Sequence, residues 1–440
     1  MNRNKTAYLP FFLLAVILFI SGSAKCESLP NDSLTLNGII NEVVQNHPMV
    51  KKAMEDITAS DAKIGLAKSA SLPNVDFTSS YSRMGPVSKI DIPDMGTFSF
   101  MPHDNYSAGF NLNQTITDFG RTDKNIMLEQ QGKELSNQSV EQVKQKLSQL
   151  AIGNYFALVY LQEAIKIKFE QLNTLNEHLR SVKKKQETGS ATDYEVLTTQ
   201  VRISTIENQL TDLKTAIHVQ VSQLNSLLGQ PETTSHQVKR ALTLEGPALQ
   251  YDSLMASAMK NRTEMKLAME KAKLAQLRYS LTGAQNNPVV TAFLSGGIKN
   301  GYTPYLYDPK ANFVTGIGIK VPIFDGKRKM YNLVQAQSAI QVSSQETEIA
   351  RRAIVDEVVE AEANVEASQK KVDQSQLQLQ QAVQAYSLAK VRFDSGVITN
   401  LELIEGSTAV SESRLSVLKS KIDYTVNIYK LKLAVGERLY

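Results

Sequence analysis

Hydrophobic and polar positions along this chain follow two different periods. Over residues 106–116 the period is two. Tyr106, Ala108, Phe110, Leu112 and Ile116 share one face, with Gln114 the polar exception; Ser107, Gly109, Asn111, Asn113 and Thr115 share the other. Residues 75–84 alternate more weakly. Residues 289–298 and 311–323 repeat the pattern, the last with Phe313, Ile317, Ile319, Val321 and Ile323 on one face. This predicts two hairpins. Prolines at 86, 93 and 102 mark a loop inside the first, and Tyr302, Tyr305 and Tyr307 lie in the loop of the second.

Elsewhere the period is helical. Residues 34–71 predict a helix broken near His47-Pro48. No Gly or Pro falls between Gly326 and Gly396, and residues 121–188 contain only Gly132 and Gly153. Helices of nearly seventy residues would be roughly 100 Å long. Their Gln, Lys and Glu content rules out a lipid-facing position. They carry heptads instead: Val358, Val365, Val372, Leu379, Tyr386 and Phe393 recur every seven residues, and Ala361, Ser368, Ser375, Ala382, Ala389 and Gly396 follow three later. Ile203, Leu210, Ile217 and Leu224, beside Ile206, Leu213 and Leu227, keep the same phase on a returning helix. Large positions alternating with small ones predict close lateral packing of helices.

The pattern occurs twice. The turns within Glu187-Thr-Gly-Ser-Ala-Thr-Asp-Tyr-Glu-Val196 and Phe393-Asp-Ser-Gly-Val-Ile-Thr-Asn-Leu-Glu-Leu-Ile-Glu405 align at an offset of 207 (Gly189 on Gly396), which also carries Gly229 onto Gly436. Asp118-Phe-Gly-Arg121 pairs with Phe324-Asp-Gly-Lys327 at about that spacing. Leu72-Pro-Asn-Val75 pairs with Asn287-Pro-Val-Val290 at an offset of 215, so the first copy holds an insertion between its Pro and Gly. In each copy a Gly (Gly189, Gly396) suits a left-handed helix end. Thr192 with Glu195, and Thr399 with Glu402, then have capping-box spacing and open the next helix.

Strands of about ten residues are long enough to cross a bilayer when tilted, although alternation alone equally fits a half-buried soluble hairpin. Four strands cannot close a barrel, and open edges are not tolerated in lipid. Membrane strands would therefore have to be pooled between chains: about eight from two, about twelve from three.

The beginning of the chain favours export. Arg3 and Lys5 precede an apolar run over 11–20 and the small residues Ser21-Gly-Ser-Ala24, predicting a leader over 1–26 with cleavage near Ala24–Cys26. Cys26 raises the question of lipidation, against which Lys25 stands where a small residue is required. A single Cys excludes an intrachain disulfide, and a net charge of +4 does not argue for nucleic acid. His47, His103, His178, His218 and His236 have no metal-ligand spacing. No phosphate-binding loop, nucleophile elbow or metal motif supports an enzyme or a cofactor.

A leader followed twice by a helix, a hairpin, a very long helix, a Gly turn and a return helix resembles the TolC-like outer-membrane channel family. The resemblance covers residues 27–230 as one repeat, 231–251 as a linker and 252–440 as the second repeat. Its most specific residues are Thr117-Asp-Phe-Gly-Arg121, Ile323-Phe-Asp-Gly-Lys-Arg328 and the two turns with Leu401-Glu-Leu-Ile-Glu405. It implies a mainly α chain with a small transmembrane β part. Three copies would share a twelve-stranded barrel in outer-membrane lipid, and their coiled-coil helices would form a periplasmic α-barrel. It further implies a passive exit duct for efflux or type I secretion, joined by a periplasmic membrane-fusion adaptor to an inner-membrane efflux or ABC transporter.

By the same resemblance Glu402 and Glu405 ring the periplasmic aperture, where spacing of three places both carboxylates on one helix face and like charges would raise one another's pKa values. Glu402 also has the capping role. Tyr194 and Glu195 fall where the family places partner-helix contacts, and the tips Gly189-Ser190 and Gly396-Val397 where it meets the adaptor. An Arg that locks the closed mouth in some members is replaced here by Ile398, and a Tyr of that lock by Phe393. The competing reading is a periplasmic coiled-coil scaffold without a pore, which would extract as a soluble protein.

Overall fold

The computed structural model describes residues 34–236, 238–239 and 251–440. The predicted leader with Cys26, and much of the predicted linker, lie outside those residues. Two helices come first, α1 (Leu36–Asn46) and α2 (Pro48–Ser69). Pro48 lacks an N–H and sits where a helix start needs none, so the predicted break becomes a helix boundary.

The strands are β1 (Asn74–Arg83), β2 (Lys89–Ile92), β3 (Gly96–Ser99), β4 (Asp104–Thr117), β5 (Val289–Lys299) and β6 (Lys310–Lys320). Four form one antiparallel sheet in the order β1-β4-β5-β6; β2 and β3 form a separate hairpin. That hairpin lies in the segment predicted as an inserted loop. The predicted last strand overran: β6 stops at Lys320, because Pro322 cannot donate to a ladder, leaving Val321 and Ile323 outside it.

Register aligns the side chains of the large sheet by face. Phe77 pairs with Phe110, Phe110 with Gly296 and Gly296 with Phe313; Val75, Leu112 and Leu294 form the next row. Phe77, Phe110, Phe313, Ile317 and Ile319 on this face are 62–77% exposed. The opposite face carries rows such as Asp76, Asn111 and Ser295, or Thr78, Gly109, Gly297 and Asn312. Gly109 and Gly297 face each other, and a Cβ on Gly297 would overlap the Ala108 carbonyl. Gln114, polar on the apolar face, donates its amide to the Ser71 carbonyl at 2.7 Å. A register shift at Thr115/Thr117 displaces Ile116 from the ladder.

Each strand pair hands over to a 67-residue helix, α3 (Arg121–Glu187) or, after α5 (Tyr251–Asn261) and α6 (Thr263–Ala284), α7 (Arg328–Asp394). An Asp opens both. Asp118 accepts from the N–H groups of Arg121 (3.0 Å) and Thr122 (2.8 Å), and Asp325 from that of Lys329 (2.9 Å) and the Asn286 amide (2.7 Å). Burial pushes the Asp118 carboxyl up, but the Thr122 bonds and Arg121 outweigh it and hold it below the ordinary value. The Asn286 amide, then the Lys329 N–H, hold Asp325 down. The Asp-containing motifs of the two copies are therefore helix-start caps.

The return helices are α4 (Asp193–Leu228) and α8 (Asn400–Ala434). α3 packs on α4 and α8, and α8 on α7, giving a helical layer ordered α4-α3-α8-α7. The heptads form its seams. Val358, Val365 and Val372 are buried with Tyr424, Ile428 and Leu431, and the small Ser375 meets Ser420 hydroxyl to hydroxyl at 2.7 Å. The largest core joins α1, the middle of α3 and the ends of α4 and α8 through Ile39, Leu147, Tyr155, Phe156, Leu224 and Ile422. Among the described residues no helix is long and apolar enough to cross a membrane.

Candidate functional site

The sequence-selected residues gather at the end of the helical layer farthest along α3 and α7 from the sheet. Both long helices stop in the same way. The Gly189 N–H donates to the Gln186 carbonyl (2.9 Å) and Ser190 to Lys185 (2.7 Å); Gly396 donates to Phe393 (3.0 Å) and Val397 to Arg392 (2.9 Å). These are paired helix-end bonds around a left-handed residue, with φ of 74° at Gly189 and 73° at Gly396.

Both capping boxes form. Glu195 accepts from the Thr192 N–H and Glu402 from the Thr399 N–H, each at 2.7 Å, and each Thr hydroxyl receives the Glu N–H at 3.3 Å. The Thr399 N–H, then its hydroxyl, hold the Glu402 carboxyl below its ordinary value. Within one copy the cap thus shifts Glu402 opposite to the rise expected from a ring of like charges. Glu402 and Glu405 are both exposed, on the side of α8 away from buried Leu403, Ile404 and Thr408.

Asn400 is the residue that sequence reasoning missed. It is 2% exposed and wedges the start of α8 into the α3–α4 hairpin. Its amide nitrogen donates to the Glu195 carbonyl (3.1 Å) and the Thr199 hydroxyl (3.0 Å), and its oxygen faces His178 Nε2. Phe393 closes the same cluster: it is 9% exposed, its ring meets His178 edge-on at 5.4 Å, and Lys185 Nζ lies 4.2 Å from its centre. Higher up, Arg202 donates to the Thr408 hydroxyl at 2.8 Å, and buried Lys168 donates to Gln171. Burial pushes the Lys168 amine down. Polar contacts therefore tie one repeat's hairpin to the other's. Ile398 is half-buried and takes no part in a polar network, whereas Tyr194 and Val397 are each 70% exposed. The only sequence signal for Asn400 was its position between a cap and buried apolar residues.

The family model for "Outer membrane efflux protein" matches residues 39–230 and 254–437. The chain belongs to that family. As an outer membrane efflux protein it resides in the outer membrane. It is 21% identical to the outer membrane protein TolC of Vibrio cholerae serotype O1 over 443 residues, covering 97% of this chain and 95% of the relative. The solved outer membrane protein VceC of Vibrio cholerae matches with a TM-score of 0.76 at 18% identity, over 92% of this chain and 97% of that one. The Campylobacter jejuni CmeC outer membrane channel matches with a TM-score of 0.76 at 17% identity, over 98% and 94%. These likenesses establish the mainly helical fold with few strands.

Proposed function

We propose that three copies of this chain assemble into an export duct, with a twelve-stranded barrel in the outer membrane continuing into a periplasmic tunnel of helices. One observation carries the proposal: each copy is open on both flanks at both levels. The sheet leaves β1 and β6 with unpaired edges beneath an apolar face, a state lipid does not tolerate. Toward the tips the helical layer leaves α4 and α7 as flanks, with Leu197 and Val201 exposed on one and Val383, Leu388 and Val391 on the other; nearer the sheet the flanks are α2 and α7, with Met54 and Leu66 exposed on one and Val334, Val342 and Ile349 on the other. Joining β6 to the next copy's β1, and α7 to its α2 and α4, covers both sets at once. A pore-free scaffold has no use for the apolar sheet face.

The duct consumes no energy. An inner-membrane efflux or ABC transporter drives the cargo and a periplasmic membrane-fusion adaptor joins it to the tips Gly189-Ser190 and Gly396-Val397. Residues 27–230 and 252–440 act as the two repeats, which supply alternate helices of the wall. Glu402 and Glu405 line the aperture, so three copies present six carboxylates that favour cations. Tyr194 and Glu195 stand beside them on α4. In place of an Arg at Ile398, the closed mouth is held within each copy by Asn400 on Thr199 and His178, with Phe393 packed beneath. The mass of the detergent-extracted oligomer tests the assembly: three copies support the duct, and a soluble single copy returns the chain to the scaffold reading.

A further inference from the structure

The β2–β3 hairpin lies at the rim of the sheet opposite the helices, in the β1–β4 connection, and has an apolar face that the described residues leave largely exposed. Ile90 pairs with Phe98 and Ile92 with Gly96, while Lys89, Asp91, Thr97 and Ser99 take the other face. Ile90 (47% exposed), Ile92 (41%), Met95 (68%) and Phe98 (47%) therefore form one exposed apolar surface. The polar face has an internal partner in the Thr97–Asp91 hydrogen bond; the apolar face has none.

The β5–β6 connection reaches the same rim. It is tied to the base of this segment, since the Tyr106 N–H donates to Asn300 Oδ1 at 2.7 Å and a Cβ on Gly301 would touch Pro102 at 3.7 Å. Its own Tyr305 (64% exposed) and Tyr307 (57%) are exposed as well, with Lys310 near the Tyr305 ring. So the loop of the same chain is already placed and leaves the apolar face open. Sheet order decides what can cover it. The hairpin lies in the connection of β1 to β4, the pair at one edge of the sheet, and the tyrosine loop connects β5 to β6, the pair at the other edge. Closing a ring of copies sets β6 of one beside β1 of the next, and brings the two uncovered surfaces to the same seam.

We propose that the hairpin of one copy packs Ile90, Ile92 and Phe98 against Tyr305 and Tyr307 of the next copy's loop, fastening the outer end of each seam. The partner is a second copy of this chain, and the contact rests on the ring assembly proposed above. It gives a role in assembly to the inserted hairpin, which the β5–β6 connection lacks.

The double variant Phe98→Cys with Tyr305→Cys, oxidised in the assembled protein and run denatured without reductant, should yield chain-to-chain linked dimers and trimers. Each single variant should remain a monomer. Linking only within one chain, or copy-to-copy linking by Phe98→Cys alone, overturns the contact; the second result would mean that the hairpins meet each other on the axis. Failure of both thiols to link, with protection of position 98 only in lipid vesicles, overturns it in favour of a lipid surface. The native mass of the same sample separates the two levels. Three copies without the bond refute the contact alone, whereas a single copy refutes the assembly and the contact together. As a second readout, Ile90→Ser with Phe98→Ser should speed heat dissociation of the oligomer on the order of tenfold or more, from lost apolar burial. An unchanged rate would refute the contact.

Discussion

Asn400, the first residue of α8, donates its side-chain amide to the Thr199 hydroxyl across a separation of 201 residues, at 3.0 Å and out of contact with solvent. The same nitrogen reaches the Glu195 carbonyl, so one side chain fastens the start of one return helix to the first turns of the other. Asn400→Ala leaves Thr199 and that carbonyl without this donor, at a cost of about 1–3 kcal/mol. If the cluster holds the mouth closed, the variant should open more often, seen as a higher mean single-channel conductance with unchanged oligomer mass. Wild-type conductance would confine Asn400 to a structural role.

Glu402 and Glu405 separate by the same kind of test. Gln can occupy the acid position of a capping box, so Glu402→Gln removes the charge while retaining the helix start. Glu405 has no capping bond, and Glu405→Gln changes charge alone. Both singly should lower the cation-to-anion permeability ratio, and the double variant should lower it furthest. Selectivity that stays at the wild-type value in the double variant would remove both from the pore. The cap also sets a pH dependence. Because the folded Glu402 carboxyl is held below its ordinary value, its contribution to the turn is complete above the unfolded carboxylate pKa. It fades as pH falls through the lowered value. Protection of the Thr399 amide from hydrogen exchange should fall on acidification in the wild type and depend less on pH in Glu402→Gln.

In the proposed barrel the row Phe77–Phe110–Gly296–Phe313 faces lipid. Phe110→Arg should weaken assembly in the membrane by about 2–4 kcal/mol if it sits near the midplane, whereas Asn111→Arg, on the opposite face, should be tolerated. Equal yields of folded oligomer from the two variants would contradict the assignment.

Gly297 is constrained by backbone rather than by side chains. An added methyl would overlap the Ala108 carbonyl and approach the Gly109 backbone, neither of which can turn aside. Gly297→Ala should part β4 from β5 and reduce oligomer yield in the membrane sharply, while Gly296→Ala, whose Cβ would have only the Asn312 carbonyl at 3.9 Å, should not. Comparable yields would show that the strands can move apart at that point.

Much of this fold was legible because the relevant signals are local. The long helices follow from runs without Gly or Pro, and their stops from Gly189 and Gly396 with the capping boxes one turn later. The four long strands follow from alternation, which also located the polar face. Three features were not legible for physical reasons. The four-residue strands of the β2–β3 hairpin are too short to show a period among prolines and polar residues. The offset of 207 superimposes Asp118 on Asp325, but which backbone N–H groups each carboxylate receives is not shown by residue type alone. The Asn400 cluster joins His178, Thr199 and Phe393 from three further helices, and no spacing along the chain announces such a contact. The acids at 402 and 405 were visible, as was the cap on Glu402, but the Asn400 anchor behind them was not.

The most direct test is single-channel recording of the detergent-extracted oligomer in a planar bilayer. Conductance with cation preference, reduced when Glu402 and Glu405 are both replaced by Gln, is the predicted result. An oligomer that inserts but carries no current, or a protein that never enters the bilayer, would contradict the duct.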